Sequence, residues 1–306
     1  MEVIHSFEQL NTNKKTAIAV GYFDGMHLGH RKLICQMREY AREHDMIPMI
    51  LTFDMSGLRA EGKGKKDLFP REHTVAFARE MGVEVYAEIP FSEIKDLSPE
   101  EFCNTVLSGC HGLDAGAVFC GKDFRFGKDR SGSIDELKTN GMRIGYSVEI
   151  IDDVFINNSI VSTSRIKEAL EAGDIKTVNQ MLGEPYSIYG EVVHGNHLAK
   201  GMGFPTANIL FAPSVVIPKK GVYLTETVIE EGTFRSITNV GTRPTVTEDM
   251  ISTAETHILG FSGDLYGSVI KVMFYEFVRP EQKFTSVDEL KQTVLENIEY
   301  ARNAMI

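Results

Sequence analysis

Between residues 16 and 151 short apolar runs alternate with helix-patterned segments, and from residue 186 the helical pattern gives way to one β-patterned run after another. That change constrains the fold more than any other feature. Strands separated by helices pair in parallel through crossovers, whereas strands in direct succession pair antiparallel. In the first stretch 16–20, 46–53, 83–89, 117–120 and 147–151 read as strands, and 28–44, 70–81 and 134–139 as helices. A further helix opens at Ser98-Pro99-Glu100-Glu101, which supplies a cap, a first-turn proline and acids suited to the helix dipole. Apolar strands of this kind predict a parallel sheet covered on both faces, with ligands at the carboxyl ends of its strands.

The later runs are 186–194, 207–211, 222–229, 233–240, 253–259 and 269–278, separated by turns rich in Gly, Pro, Asn and Asp. They predict an antiparallel barrel or sandwich. Ser286 and Glu289 form a capping-box pattern ahead of Leu290, Val294 and Ile298, so a terminal helix follows. A helical stretch at 164–182, stopped by Gly183 and Pro185, joins the halves. The expected class is α/β plus β. A Rossmann-like parallel sheet occupies 1–182, and an antiparallel barrel or sandwich with a terminal helix occupies 183–306.

Composition narrows the partners. With 32 basic and 43 acidic residues the net charge is −11, which argues against broad neutralisation of duplex phosphates but leaves a local nucleotide site open. No run of about 18 apolar residues spans a membrane, and the first residues lack a secretory signal's basic and apolar regions. Cys35, Cys103, Cys110 and Cys120 form no C-x-x-C pair and read as reduced thiols of a cytoplasmic protein.

The densest motif is Gly21-Tyr22-Phe23-Asp24-Gly25-Met26-His27-Leu28-Gly29-His30, between the first strand and its helix. Its glycines permit a sharp turn and close backbone approach. A helix N-terminus suits phosphate. His27 and His30, three apart, share one face of the first turn and suit charge developing on a phosphate. A tight turn with two exposed histidines is the plainer reading of the same residues.

His-x-Gly-His after a first strand resembles the nucleotidyltransferase superfamily. The longer string resembles the adenylyltransferase module of bacterial bifunctional riboflavin kinase/FAD synthetases. So do Gly121-Lys122-Asp123-Phe124-Arg125-Phe126-Gly127, at a strand end, and Ser162-Thr163-Ser164-Arg165-Ile166-Lys167, which by itself is a good helix cap. The resemblance implies ATP and phosphate contacts at Gly21, Phe23, Asp24, Gly25, Gly29, Asp123, Ser162, Thr163, Ser164 and Lys167. It implies transition-state roles for His27 and His30, and flavin contacts at Phe124 and Phe126. The chain departs from the family at Asp54-Met55-Ser56-Gly57, where a Pro-His-Pro type turn is usual. It departs again at Ile160 and Lys167, where arginines are usual; Lys offers a point charge in place of a fork and Ile offers none.

In the second half Gly201-Met202-Gly203-Phe204-Pro205-Thr206-Ala207-Asn208 is a glycine-flanked turn leading into a strand. Thr206 and Asn208, two apart, can face one side as hard oxygen donors for Mg²⁺. They also suit a turn that caps its own backbone. Asn239-Val240-Gly241-Thr242-Arg243-Pro244-Thr245, Glu255-Thr256-His257-Ile258-Leu259, Leu265-Tyr266-Gly267, Arg279 and Phe284 follow. In this order they resemble the riboflavin kinase module. That resemblance implies a small β-barrel in which Thr206 and Asn208 hold Mg²⁺, Gly203 and Lys200 meet ATP phosphates, Arg279 and Phe284 contact flavin, and Glu255 is the general base. Ala199-Lys200 stands where Gly-Arg is usual, and Gly260 where Asp is usual.

The implied function is ATP-dependent phosphorylation of riboflavin to FMN, followed by adenylylation of FMN to FAD with release of pyrophosphate. Riboflavin, FMN, ATP and FAD are the partners and Mg²⁺ the cofactor. Two other readings stay open: a riboflavin kinase whose adenylyltransferase half has degenerated, and a non-catalytic flavin- or nucleotide-binding protein.

Overall fold

The computed structural model describes the chain except residues 11–12, 58–61, 63, 110–111, 195–203 and 245–249, with backbone alone at 243, 244 and 250. By contacts the chain divides into two compact units, Met1–Val161 and Ser162–Ile306.

The first unit is a six-stranded sheet in the order β1-β4-β3-β2-β5-β6. Its strands are β1 (Glu2–Ile4), β2 (Thr16–Val20), β3 (Ile47–Asp54), β4 (Val85–Pro90), β5 (Ala115–Gly121) and β6 (Ser147–Ile151). Every pairing is parallel. Helices α1 (Leu28–Glu43), α2 (Arg71–Glu80), α3 (Phe91–Ile94), α4 (Pro99–Phe102) and α5 (Ile134–Ile144) provide the crossovers. The strands are buried on both faces because successive residues serve two cores. Ile18, Val20, Met49, Leu51, Val118 and Cys120 pack on one side. Ala17, Ala19, Ile50, Ala117 and Phe119 pack on the other, with Ile34, Met37 and Ala41 of α1. The chain winds outward from β2 through β3 and β4, then returns to start β5 on β2's other side. The carboxyl ends of β2 and β5 therefore flank the topological switch point, where open α/β sheets bind ligands. A hairpin, β7 (Phe155–Ile156) and β8 (Ser159–Ile160), follows the sheet.

The second unit opens with α6 (Thr163–Ala172) and α7 (Ile175–Leu182). Asn179 ties α7 to the sheet: its Nδ2 donates to Phe274 O at 2.8 Å, and its Oδ1 accepts from Tyr186 N at 2.8 Å. The helix pair thus goes with the β unit, while the pattern break at residue 183 marks where strand pairing begins. The strands are β9 (Ser187–Glu191), β10 (Ala207–Leu210), β11 (Gly221–Ile229), β12 (Gly232–Pro244), β13 (Met250–Ile258) and β14 (Val269–Pro280). They order as β10-β13-β12-β11-β14-β9, every pairing antiparallel. Val193 N donates to Asn208 O at 2.9 Å in an antiparallel bridge, so the two edges approach and the sheet curls into a near-barrel.

Its interior mixes edge-on aromatics with hydroxyls. Tyr223 meets Phe274 and Phe277, each with ring centroids 5.2 Å apart. Thr227, Ser236, Thr225, Thr238 and Thr256 form a fully buried chain of side-chain hydrogen bonds 2.8–2.9 Å long. The outer face carrying Val222, Leu224 and Ile237 packs on Ala301 of α8 (Val287–Asn303). Ser286 caps α8 by accepting from Glu289 N at 3.1 Å. The expected capping box is altered, since the Glu289 carboxylate reaches back to Thr285 N and Oγ1.

Candidate active sites

In the first unit the glycine-rich turn leaves β2 at the switch point. Gly21 N donates to Leu51 O at 3.1 Å, holding the turn to β3. Gly25 takes φ +90° and Met26 φ 44°. Phe23, Asp24, Met26 and His27 are buried. Asp24 Oδ1 accepts from Leu68 N at 2.7 Å, fastening the 67–69 segment to the motif. Arg31 is anchored too: its Nε donates to Met26 O at 2.9 Å, and its guanidinium lies 4.4 Å from the Phe77 ring centre.

His27 is the N-cap of α1, and its Nδ1 accepts from His30 N at 3.3 Å. An accepting Nδ1 leaves the proton of a neutral imidazole on Nε2. The two rings stack with centroids 3.7 Å apart and planes 17° from parallel. A Cβ on Gly29 would sit 3.1 Å from the His27 ring, so any larger residue there would press on it. Burial pushes His27 down to about 4, a tendency its own backbone hydrogen bond opposes and Arg31 reinforces. Burial, then the neighbouring His27, pushes His30 well below its ordinary value. Both rings are neutral at pH 7. His30 Nδ1 is buried with no hydrogen-bond partner among the described residues. No acid occupies the first turn of α1, so the positive end of the helix dipole is uncountered there.

The loop after β5 leaves the same sheet edge. Asp123 is exposed and Phe124 half-buried. Phe126 is 5% exposed and belongs to the core, against Phe102 at 5.3 Å, with Phe124 stacked on it at 5.7 Å. Of the two rings, Phe124 is the one that keeps a solvent-facing surface. Ser162 caps α6 by accepting from Arg165 N at 3.4 Å; Thr163 and Lys167 are half-buried and Ser164 exposed. A shallow cleft opens beside the turn, lined by Tyr22, Phe23, Asp54, Asp67, Tyr86 and Glu88 among others. Arg71 is ion-paired there with the buried Glu88.

In the second unit, strand register assembles the other candidate site. Asn208 of β10 lies directly opposite Glu255 of β13, and Glu255 directly opposite Asn239 of β12. Asn239 partners Val222, and Val222 partners Arg279. Register partners share a face, so the expected metal donor, the expected base and the expected flavin contact lie in one row across five strands. Asn208 is 3% exposed. Its Nδ2 donates to Thr206 O at 3.3 Å, and its Oδ1 is buried without a hydrogen-bond partner among the described residues. A buried amide oxygen left unpaired is costly, and a hard cation beside Thr206 would satisfy it; the donor set fits Mg²⁺.

His257 holds the arm that carries Thr206. Its Nδ1 donates to Pro205 O at 2.9 Å, and its ring meets Phe204 edge-on at 5.9 Å. Arg279 is half-buried, Nε donating to Asn297 Oδ1 at 3.2 Å and Nη1 to Pro280 O at 3.1 Å. Phe284 is half-buried in the segment leading to α8. Lys200 and Gly203 lie outside the described residues. Sequence reasoning passed over Asn239 and the bridging role of His257. Asn239 stands in a motif quoted above, but only its pairing opposite Glu255 places it in the row.

Comparison with known proteins agrees with both halves. A FAD synthetase family model matches residues 9–165, and a riboflavin kinase model matches residues 182–305. Proteins named bifunctional riboflavin kinase/FMN adenylyltransferase resemble the chain over nearly its whole length. The one from Pseudomonas fluorescens is 32% identical, over 99% of this chain and 97% of its own. That from Bacillus subtilis is 30% identical, over 92% and 89%, and that from Escherichia coli K12 is 31% identical, over 95% and 93%. Among solved structures, a Streptococcus pneumoniae protein called a macrolide-efflux protein matches with TM-score 0.87 and 27% identity over 99% of both chains. In the present chain no helix among the described residues is long and apolar enough to cross a membrane. With relatives above 30% identity covered almost end to end, the chain belongs to the bifunctional riboflavin kinase/FMN adenylyltransferase family.

Proposed function

We infer that this chain makes both flavin cofactors, phosphorylating riboflavin to FMN in its second unit and adenylylating FMN to FAD in its first. By motif content we assign residues 1–182 to the adenylyltransferase domain and 183–306 to the kinase domain, although the helix pair at 163–182 packs with the kinase unit. The observation that carries the kinase reading is the pairing of Glu255 with Asn208, whose buried Oδ1 lacks a partner. A carboxylate beside a cation-ready amide is what transfer to a primary alcohol needs. Glu255 takes the proton from riboflavin's 5′-hydroxyl as that oxygen attacks the γ-phosphorus of ATP, the bond to the β-phosphate oxygen breaks and ADP leaves. Thr206 and Asn208 hold Mg²⁺, with His257 keeping their strand entry in place. When bound, Mg²⁺ offsets charge on the triphosphate. Lys200 and Gly203 meet the phosphates, and Arg279 and Phe284 hold the flavin.

In the first unit the FMN phosphate attacks the α-phosphorus of ATP and pyrophosphate leaves. No side-chain nucleophile is required, so catalysis rests on positioning and on stabilising charge. Neutral His27 presents Nε2–H, and His30 stacks behind it. The N-terminus of α1, Gly21, Phe23, Asp24, Gly25 and Gly29 cradle the nucleotide. Asp123, Ser162, Thr163, Ser164 and Lys167 serve the phosphates, with Phe124 on the flavin side; Phe126, expected beside it, is a core residue that backs the Phe124 ring. The stacked, neutral histidine pair at a helix N-terminus supports an active site over a degenerate one. The three described cysteines are free, which suits a reducing cytoplasm.

Purified protein given riboflavin, ATP and Mg²⁺ is expected to yield FMN and then FAD, resolved by chromatography. FMN alone would reduce the chain to a kinase, and flavin binding without ATP consumption would make it a binding protein. Glu255→Gln is expected to slow FMN formation by about 10²–10⁴-fold while FAD still forms from supplied FMN. Undiminished kinase turnover in that variant would remove Glu255 as the base.

A further inference from the structure

Helix α8 carries a buried polar residue on its barrel-facing side. Asn297 is 7% exposed and lies beside Ile298 and one turn before Ala301, which are also buried. An amide in the middle of a helix, turned to an apolar face, needs a partner to offset its desolvation. Here the partner is a cation: Arg279 Nε donates to Asn297 Oδ1 at 3.2 Å. The strand is shaped to allow this. Val222 pairs with Arg279 while Tyr223 pairs with Phe277, so Val278 is an extra residue bulged out of register. A bulge re-aims the side chains beside it. Phe277 keeps its place against Tyr223 in the interior, and Val278 packs with the cluster under α8.

Arg279 Nη1 donates to Pro280 O at 3.1 Å, so a side-chain acceptor on one edge and a main-chain acceptor on another fix the guanidinium plane. Nη2 has no protein hydrogen bond among the described residues. Arg279 stands three strand steps from Glu255 along the shared row, about 14 Å at ordinary strand spacing. A flavin has its reacting hydroxyl at one end and its ring carbonyls at the other, so an arginine several strands away from the base is placed for the ring end.

We infer that Asn297 is a positioning residue for flavin recognition, acting through Arg279: it holds the guanidinium so that Nη2 faces the carbonyl edge of a planar heteroaromatic ring. This rests on the reading of the second unit as a riboflavin kinase. That reading fails separately, if wild-type protein does not phosphorylate riboflavin at all. Asn297 deepens it by giving ring specificity to a pair of residues on different elements.

The test is steady-state kinase kinetics on the full chain, varying riboflavin and ATP in turn, with melting temperatures recorded beside them. Asn297→Ala is expected to raise the riboflavin KM about tenfold, leaving the ATP KM and kcat within about twofold of wild type. Asn297→Asp keeps the acceptor and is expected to return the riboflavin KM to near the wild-type value. Asn297→Ala added to Arg279→Lys is expected to cost nothing beyond Arg279→Lys alone, because both act through one guanidinium. A lowered melting temperature with an unchanged riboflavin KM would overturn the proposal, leaving Asn297 a bolt between helix and barrel. So would a tenfold rise in Asn297→Asp, a result readable even if Asn297→Ala does not fold.

Discussion

At the scale of single residues, the stacked histidines carry a cost that is visible in stability. His27 titrates near 4 in the folded chain against an ordinary 6.5, chiefly because it is buried, and His30 is shifted the same way. As pH falls the unfolded chain therefore binds the proton first. Stability is complete above pH 6.5 and is lost on acidification through the interval down to about 4. His27 alone accounts for a loss of about 2 kcal/mol by pH 5, a range in which most carboxylates have not begun to protonate. Urea midpoints measured from pH 7 to 5 are expected to fall for wild type and to fall less for His27→Gln. A flat wild-type profile would contradict two buried neutral imidazoles. The same neutrality lets the pair donate hydrogen bonds at pH 7 without adding charge that competes with the ATP-bound cation.

At the scale of elements, the barrel is held partly by hydroxyls that a purely apolar interior would lack. Thr225 sits at the middle of the buried chain, bonded to Ser236 at 2.8 Å and Thr238 at 2.9 Å. Thr225→Val keeps the shape and removes both bonds, so it is expected to cost about 1–3 kcal/mol. The urea midpoint should drop at constant slope, with kinase kcat unchanged because the hydroxyl chain faces away from Glu255. A midpoint equal to wild type would mean that the chain contributes nothing. Which elements the sequence revealed follows from how local their causes are. β2 and β6 lie where apolar runs place them. Short β1 carries three residues and no period to detect. The β7–β8 hairpin turns on Asn157 and Asn158, both at positive φ, and sits too close to the next helix to stand out. The helix expected to stop at residue 139 runs to Ile144, because Tyr146 packs on the bare backbone of Gly141, where a Cβ would meet its ring at 2.8 Å. Asn-Gly reads as a turn until its tertiary neighbour is known. The site divides the same way. His27, His30, Thr206, Asn208 and Glu255 sit in contiguous strings, whereas Asn239 and Asn297 acquire meaning only through strand register and helix docking, which sequence spacing does not encode.

At the scale of the whole molecule, the two chemistries rest on different kinds of construction. The adenylyl site is a loop and a helix end at the switch point of a parallel sheet, so its groups come mainly from neighbouring positions in the chain. The kinase row is built across five antiparallel strands, from residues 208 to 279, and owes its geometry to pairing. Because His27 and His30 belong to one contact unit and Glu255 to the other, damage to either chemistry should leave the other intact. His30→Ala is expected to slow FAD formation by about 10²–10³-fold and to leave FMN formation unchanged. Glu255→Gln has the reverse profile. Mixed in one tube with riboflavin, ATP and Mg²⁺, the two variants should restore FAD, since FMN released by one is substrate for the other. The restored rate should show a lag that shortens when FMN is added at the start. A mixture that accumulates FMN and never yields FAD would mean that the two reactions need both intact sites in one chain, and that the separation of the units does not extend to their chemistry.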